Sequence, residues 1–125
     1  MRTILIVDDE YGIAEIVGDV LSQHGFTVLT AINGRLGLAT LSQTKPDVIL
    51  LDVMMPVMTG PEMLRELKRS EAWRRIPVVM MSAVGPTALT PKERESIEAF
   101  ISKPFTYEEL MEALRTALGE TFLDA

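Results

Sequence analysis

Short continuous apolar runs alternate along the chain with apolar residues spaced three and four apart. The runs are Ile4 to Val7, Val48 to Leu51, and Ile76 to Met81 with Pro77 near its start. Strands apolar on both faces belong to parallel sheets covered by helices on both sides. Phe26 to Ala31 mixes in Thr27 and Thr30 and reads as an edge strand. Ala99 to Ile101 is short and also suits an edge.

The helical pattern is as regular. Ile13, Ile16, Val17, Val20 and Leu21 form one stripe of a first helix, with Gly25 past its end as a C-terminal cap. Asn33-Gly34 precedes a second helix carrying Leu36, Leu38, Ala39 and Leu41. Gly60-Pro61 opens a third, with Met63, Leu64 and Leu67 inward. Thr90-Pro91-Lys92-Glu93 has capping-box spacing and starts a fourth, whose thin apolar face predicts the least stable helix. Thr106-Tyr107-Glu108-Glu109 starts a fifth, with Leu110, Met111, Leu114 and Leu118, ending near Gly119.

Five strands and five helices in strict alternation define the α/β class: a doubly wound, five-stranded parallel sheet with right-handed crossovers. The flavodoxin-like order 2-1-3-4-5 is expected. It puts the functional site at the carboxyl ends of the strands, where strands 1 and 3 diverge.

The 125 residues fit one domain, expected over residues 1–120, with 121–125 a tail or linker stub. Cysteine is absent, which excludes disulfides, thiolate catalysis and Cys-based zinc sites. His24, the only histidine, excludes a multi-histidine metal centre and reads as a helix-end residue complementing the dipole. Eighteen acids against twelve bases leave a net charge of −6, which argues against this chain gripping nucleic acid or an anionic membrane. Ile4 to Val7 is too short for a secretory core or a spanning helix, and Asp8-Asp9-Glu10 ends it. A cytoplasmic location is expected.

The fold makes a demand: chemistry should follow the strands. Asp8, Asp9 and Glu10 follow strand 1, Asp52 follows strand 3, Ser82 strand 4, and Ser102-Lys103-Pro104 strand 5. Carboxylates gathered within a few ångströms cannot all stay ionised without a cation. All-oxygen ligation suits Mg²⁺. A carboxylate beside a metal and a lysine can attack phosphorus and become an acyl phosphate. Lys103 and Ser82 would then neutralise and bind the phosphoryl oxygens.

These residues also resemble a known family. Ile4-Leu5-Ile6-Val7-Asp8-Asp9-Glu10, Asp47 to Pro56 with Gly60, Pro77 to Ala83, and Ser102-Lys103-Pro104-Phe105 are similar to the response-regulator receiver domain. Four pieces stand in register over essentially the whole chain. The resemblance implies that Asp52 is the phosphoacceptor. It implies Mg²⁺ (or Mn²⁺) held by Asp8, Asp9, Asp52 and the Met54 backbone carbonyl. It gives Ser82 and Lys103 the phosphoryl oxygens, makes the Lys103–Pro104 bond cis, and makes Ser82 and Phe100 the switch pair.

The implied partners are a sensor histidine kinase or histidine phosphotransfer protein, then an effector or second copy through the helix 4–strand 5–helix 5 face. Phe100 stands where relatives often carry Tyr, Ser82 where Thr is common, and Glu95 to Ala99 lacks the Gly-Ala-Asp-Asp of many relatives.

Rival readings fit less well. A haloacid-dehalogenase-type phosphatase needs a second acid two residues after its nucleophile, where Met54 stands. A flavodoxin needs a hydroxyl- and glycine-rich loop after strand 1, where three acids would repel a phosphate. A non-phosphorylated receiver-like interaction module is the remaining alternative, and the full set Asp8, Asp9, Asp52, Ser82 and Lys103 argues against it. The expected protein is a phosphoacceptor that assists its own phosphoryl transfer rather than an enzyme. Met54 and Val84, two residues after Asp52 and Ser82, cannot position an attacking water, so slow self-dephosphorylation is expected.

Overall fold

A computed structural model describes residues 2–119. The five strands are β1 (Thr3–Val7), β2 (Thr27–Ala31), β3 (Val48–Asp52), β4 (Val78–Ser82) and β5 (Ala99–Ser102). The helices are α1 (Tyr11–Gln23), α2 (Gly34–Leu41), α3 (Gly60–Arg69), α4 (Pro91–Glu95) and α5 (Tyr107–Leu118), with one 3₁₀ turn at Pro86–Ala88. All pairings are parallel and the order is β2-β1-β3-β4-β5, as the alternation predicts. The expected tail, residues 121–125, lies outside the described residues.

Successive side chains of a strand point to opposite faces, and the sheet uses both. Ile4, Ile6, Val48, Leu50, Val79 and Met81 pack with Val17 and Leu21 of α1 and with Leu110 and Leu114 of α5. Leu5, Val7, Ile49, Leu51, Val78 and Met80 face the other way, onto Leu41 of α2 and Met63, Leu64 and Leu67 of α3. Each such fully buried side chain contributes about 1.5–3 kcal/mol. The two thin edges, β2 and β5, are the strands whose patterns were mixed or short.

Two helices are turned from their apolar stripes. In α1 the buried face is Ala14, Val17, Gly18 and Leu21, and Ile16 is 68% exposed. In α2 it is Gly34, Gly37 and Leu41, with Leu36 exposed. Small residues let these helices come close: a Cβ on Gly37 would lie 2.9 Å from Met63 Cε and 3.2 Å from Val7 Cγ2. α4 has five residues and none is buried, in keeping with its thin face.

Capping fixes where helices begin. Asn33 caps α2, and Thr59–Glu62, Thr90–Glu93 and Thr106–Glu109 form reciprocal capping boxes on α3, α4 and α5. The Thr59 box shows the same S/T-x-x-E signature as the other two and could have been read from sequence. Only the N-cap of α1, Glu10, makes no side-chain cap bond.

Candidate functional site at the carboxyl ends of the strands

Register brings the candidate residues together. Val7 pairs with Leu51, so Asp8 and Asp52 leave neighbouring strands at the same level. Asp52 pairs with Met81, and Ser82 with Ser102. The Lys103 N–H donates to the Ser82 carbonyl at 2.9 Å, extending the ladder to the lysine. The Lys103–Pro104 peptide bond is cis. Gly60 closes the β3 end from below. Its N–H donates to the Val53 carbonyl at 2.9 Å, and a Cβ there would lie 2.3 Å from the Asp52 carbonyl oxygen.

The Lys103 ammonium sits among three carboxylates. Nζ is 2.9 Å from Asp8 Oδ2, 3.1 Å from Glu10 Oε1 and 3.4 Å from Asp52 Oδ1. The Asp8, Asp52 and Lys103 side chains are all but enclosed, whereas Glu10 is 59% exposed. The Glu10 N–H donates to Asp8 Oδ1 at 2.8 Å, so both Asp8 oxygens are engaged.

Charge follows from this geometry. Burial pushes the Asp52 carboxyl up to about 6, and Asp8 adds to the rise, while Lys103 opposes it. Burial works against the Lys103 charge, but Asp8, Glu10 and Asp52 outweigh it and lift its pKa above the usual lysine value. Ser82 is fully buried, and its Oγ accepts from the Val84 N–H at 3.1 Å. That uses one lone pair and leaves the hydroxyl proton to donate.

Other candidates stand further off. Asp9 is exposed, and the carboxylates that converge within 4.8 Å are Asp8, Glu10 and Asp52. Met54 and Val84 are exposed at 64% and 63%, flanking the rim. Phe100 is half-buried and packs on the α2–α3 side of the sheet. Sequence spacing did not reveal Glu10 as a partner of Lys103, because the pair is 93 positions apart. Nor did it reveal the His24–Tyr107 contact, Nε2 to hydroxyl at 2.7 Å with stacked rings, which joins α1 to α5. Val57 holds φ 69°, unusual for a β-branched residue.

A divalent cation fits this donor set. Three carboxylates whose oxygens approach within 4.8 Å are hard ligands with more charge than one lysine offsets.

Comparison with known proteins agrees with this geometry. The family model for the response regulator receiver domain matches residues 4–115. The chain belongs to that family. It is 39% identical over 121 residues to the phosphate regulon transcriptional regulatory protein PhoB of Pseudomonas aeruginosa, covering 96% of this chain and 53% of that one. It is 33% identical to sporulation initiation phosphotransferase F of Bacillus subtilis, covering 92% of each. The crystal structure of response regulator TrrA from Thermotoga maritima, in complex with Mg²⁺-BeF, superposes with a TM-score of 0.84 at 26% identity, over 94% of this chain and 100% of that one.

The chain spans about half the length of the transcriptional regulators it matches. The family match makes it a receiver domain of the two-component response regulators, a phosphoacceptor type of domain whose standard role is a phosphorylation-dependent switch. No helix among the described residues is long and apolar enough to cross a membrane.

Proposed function

We propose that Asp52 accepts a phosphoryl group from the phosphohistidine of a sensor histidine kinase or histidine phosphotransfer protein. The observation that carries this reading is the buried Asp52 carboxylate with Asp8 and Lys103 gathered on it from the ends of β1 and β5. Asp52 Oδ forms a bond to phosphorus. The bond from phosphorus to the donor imidazole nitrogen breaks, and its electron pair stays on that nitrogen. Lys103 moves from Asp52 Oδ1 to a phosphoryl oxygen, and the Ser82 hydroxyl donates to another.

Asp8, Asp9, Asp52 and the Met54 backbone carbonyl would hold Mg²⁺ or Mn²⁺. When bound, that ion neutralises charge on the transferred group. Ser82 and Phe100 act as the switch pair. The added charge on Asp52 draws Ser82 inward and shifts the α4–β5–α5 face. α4, with no buried residue, is weakly anchored against such a shift. A downstream effector or a second copy of the chain reads that face. Residues 1–120 act as the receiver unit in the cytoplasm, with no nucleic acid or membrane contact of their own.

The test is intact mass after incubation with acetyl phosphate and Mg²⁺, comparing wild type with Asp52→Asn. A phosphate-sized gain in wild type alone supports the reading. Equal gains, or none, overturn it.

A further inference from the structure

Glu10 occupies the N-cap of α1 with extended backbone, yet its side chain caps nothing, unlike the N-cap side chains of the other four helices. Capping is the work of short side chains that reach the N2 or N3 amide, and Glu is too long for it. The Glu10 carboxylate reaches instead across the sheet, and its Oε1 accepts from Lys103 Nζ at 3.1 Å. The Glu10 amide meanwhile holds Asp8 Oδ1. One residue thus orients Asp8 with its backbone and Lys103 with its side chain.

An ammonium has three N–H donors, and three carboxylates surround this one. The two shorter contacts go to the β1–α1 turn, 2.9 Å to Asp8 and 3.1 Å to Glu10, and the longest, 3.4 Å, to Asp52. A phosphoryl oxygen arriving on Asp52 needs one of those donors. Asp8 is enclosed and Glu10 is 59% exposed, so Glu10 is the partner that water can replace.

We infer that Glu10 is a positioning residue for phosphoryl transfer: it holds Lys103 closer to the β1–α1 turn than to Asp52, and loosening their pair lets Lys103 move from Asp52 onto the phosphoryl group. This rests on Asp52 being the acceptor. The bond-making and bond-breaking are unchanged, since no proton moves when the pair parts.

The experiment compares wild type, Glu10→Gln and Glu10→Asp at saturating Mg²⁺. Two quantities are read: the second-order rate constant for phosphorylation by acetyl phosphate, and the dissociation constant of beryllofluoride. Gln removes the charge; Asp keeps it but is one methylene too short to reach Lys103. Both variants are expected to react faster and bind beryllofluoride more tightly, each by about 2- to 5-fold, the range for a partly exposed ion pair. A gain in Glu10→Gln alone would reveal long-range charge rather than pairing and overturn the inference. Unchanged, slower or weaker behaviour in both variants overturns it as well. A wild type that gains no phosphate removes the Asp52 reading itself, and the inference falls with it.

Discussion

Lys103 Nζ lies 2.9 Å from Asp8 Oδ2, joining residues 95 positions apart across the exits of the first and last strands. Both side chains are nearly sealed from water. Removing one partner of such a pair leaves an uncompensated buried charge, which costs more than the pair itself contributes. Lys103→Met is expected to lower metal-free stability by on the order of 3 kcal/mol. Saturating Mg²⁺ should recover part of that loss, because a cation replaces the missing charge. Urea unfolding with and without Mg²⁺ measures both, and an unchanged midpoint would contradict the assignment of Lys103 as the site's neutralising charge.

Asp52 gives the pH dependence its sign. Its carboxyl is raised from 3.8 to about 6 in the fold, chiefly by burial and then by Asp8, against the pull of Lys103. Between those values the native state holds a proton that the unfolded chain has released. Stability from this group therefore falls as pH rises through that window and stays lower above it. The span is worth on the order of 3 kcal/mol. Without metal, Asp52→Asn should be the more stable protein at pH 7 by about 2–3 kcal/mol, and the gap should close near pH 4. Equal stability at pH 7 would mean that the buried carboxylate carries no such strain.

Val57 sits in the loop between β3 and α3 with φ 69° and is 69% exposed. A left-handed conformation costs an ordinary L-residue about 1–2 kcal/mol. Glycine escapes that cost but loses more entropy on folding, about 0.5–1 kcal/mol. Val57→Gly is expected to stabilise the domain by about 0.5–1 kcal/mol. Thermal unfolding checks this, and destabilisation would show that the valine side chain has a packing role there.

Met54 and Val84 flank the rim at 64% and 63% exposure, and neither carries a group that can orient water. The purified phosphoprotein is expected to hold its phosphate for minutes or longer without a phosphatase. Met54→Asn, which supplies a polar group at that point, should shorten the lifetime. Release of inorganic phosphate over time measures it, and a half-life of a few seconds for wild type would contradict the expectation.

How much of this was legible in the sequence differs by physical cause. Ile4 to Val7 and Val48 to Leu51 are apolar on both faces, so the buried central strands and the two-sided helix cover followed directly. The carboxyl-end rule then placed Asp8, Asp52, Ser82 and Lys103 on one rim, and register brings them there. Ile16 and Leu36 misled, because an apolar stripe does not register that Gly18 and Gly37 let the helices approach on their small residues. Glu10 was visible only as one more acid. Its reach to Lys103 depends on the fold bringing together residues 93 apart, and no local pattern carries that. The positive φ of Val57 also left no trace, since valine is among the residues least expected there.

The central claim is that the phosphoryl group resides on the carboxylate of Asp52. Borohydride reduces an acyl phosphate of aspartate to homoserine, so reduction of the phosphorylated protein followed by peptide mass mapping locates the site directly. Homoserine at position 52, and at no other acid of the rim, is the predicted result. Homoserine at position 8 or 9, or 2-amino-5-hydroxypentanoic acid (the product of a reduced glutamyl phosphate) at position 10, with an intact Asp52 would contradict it.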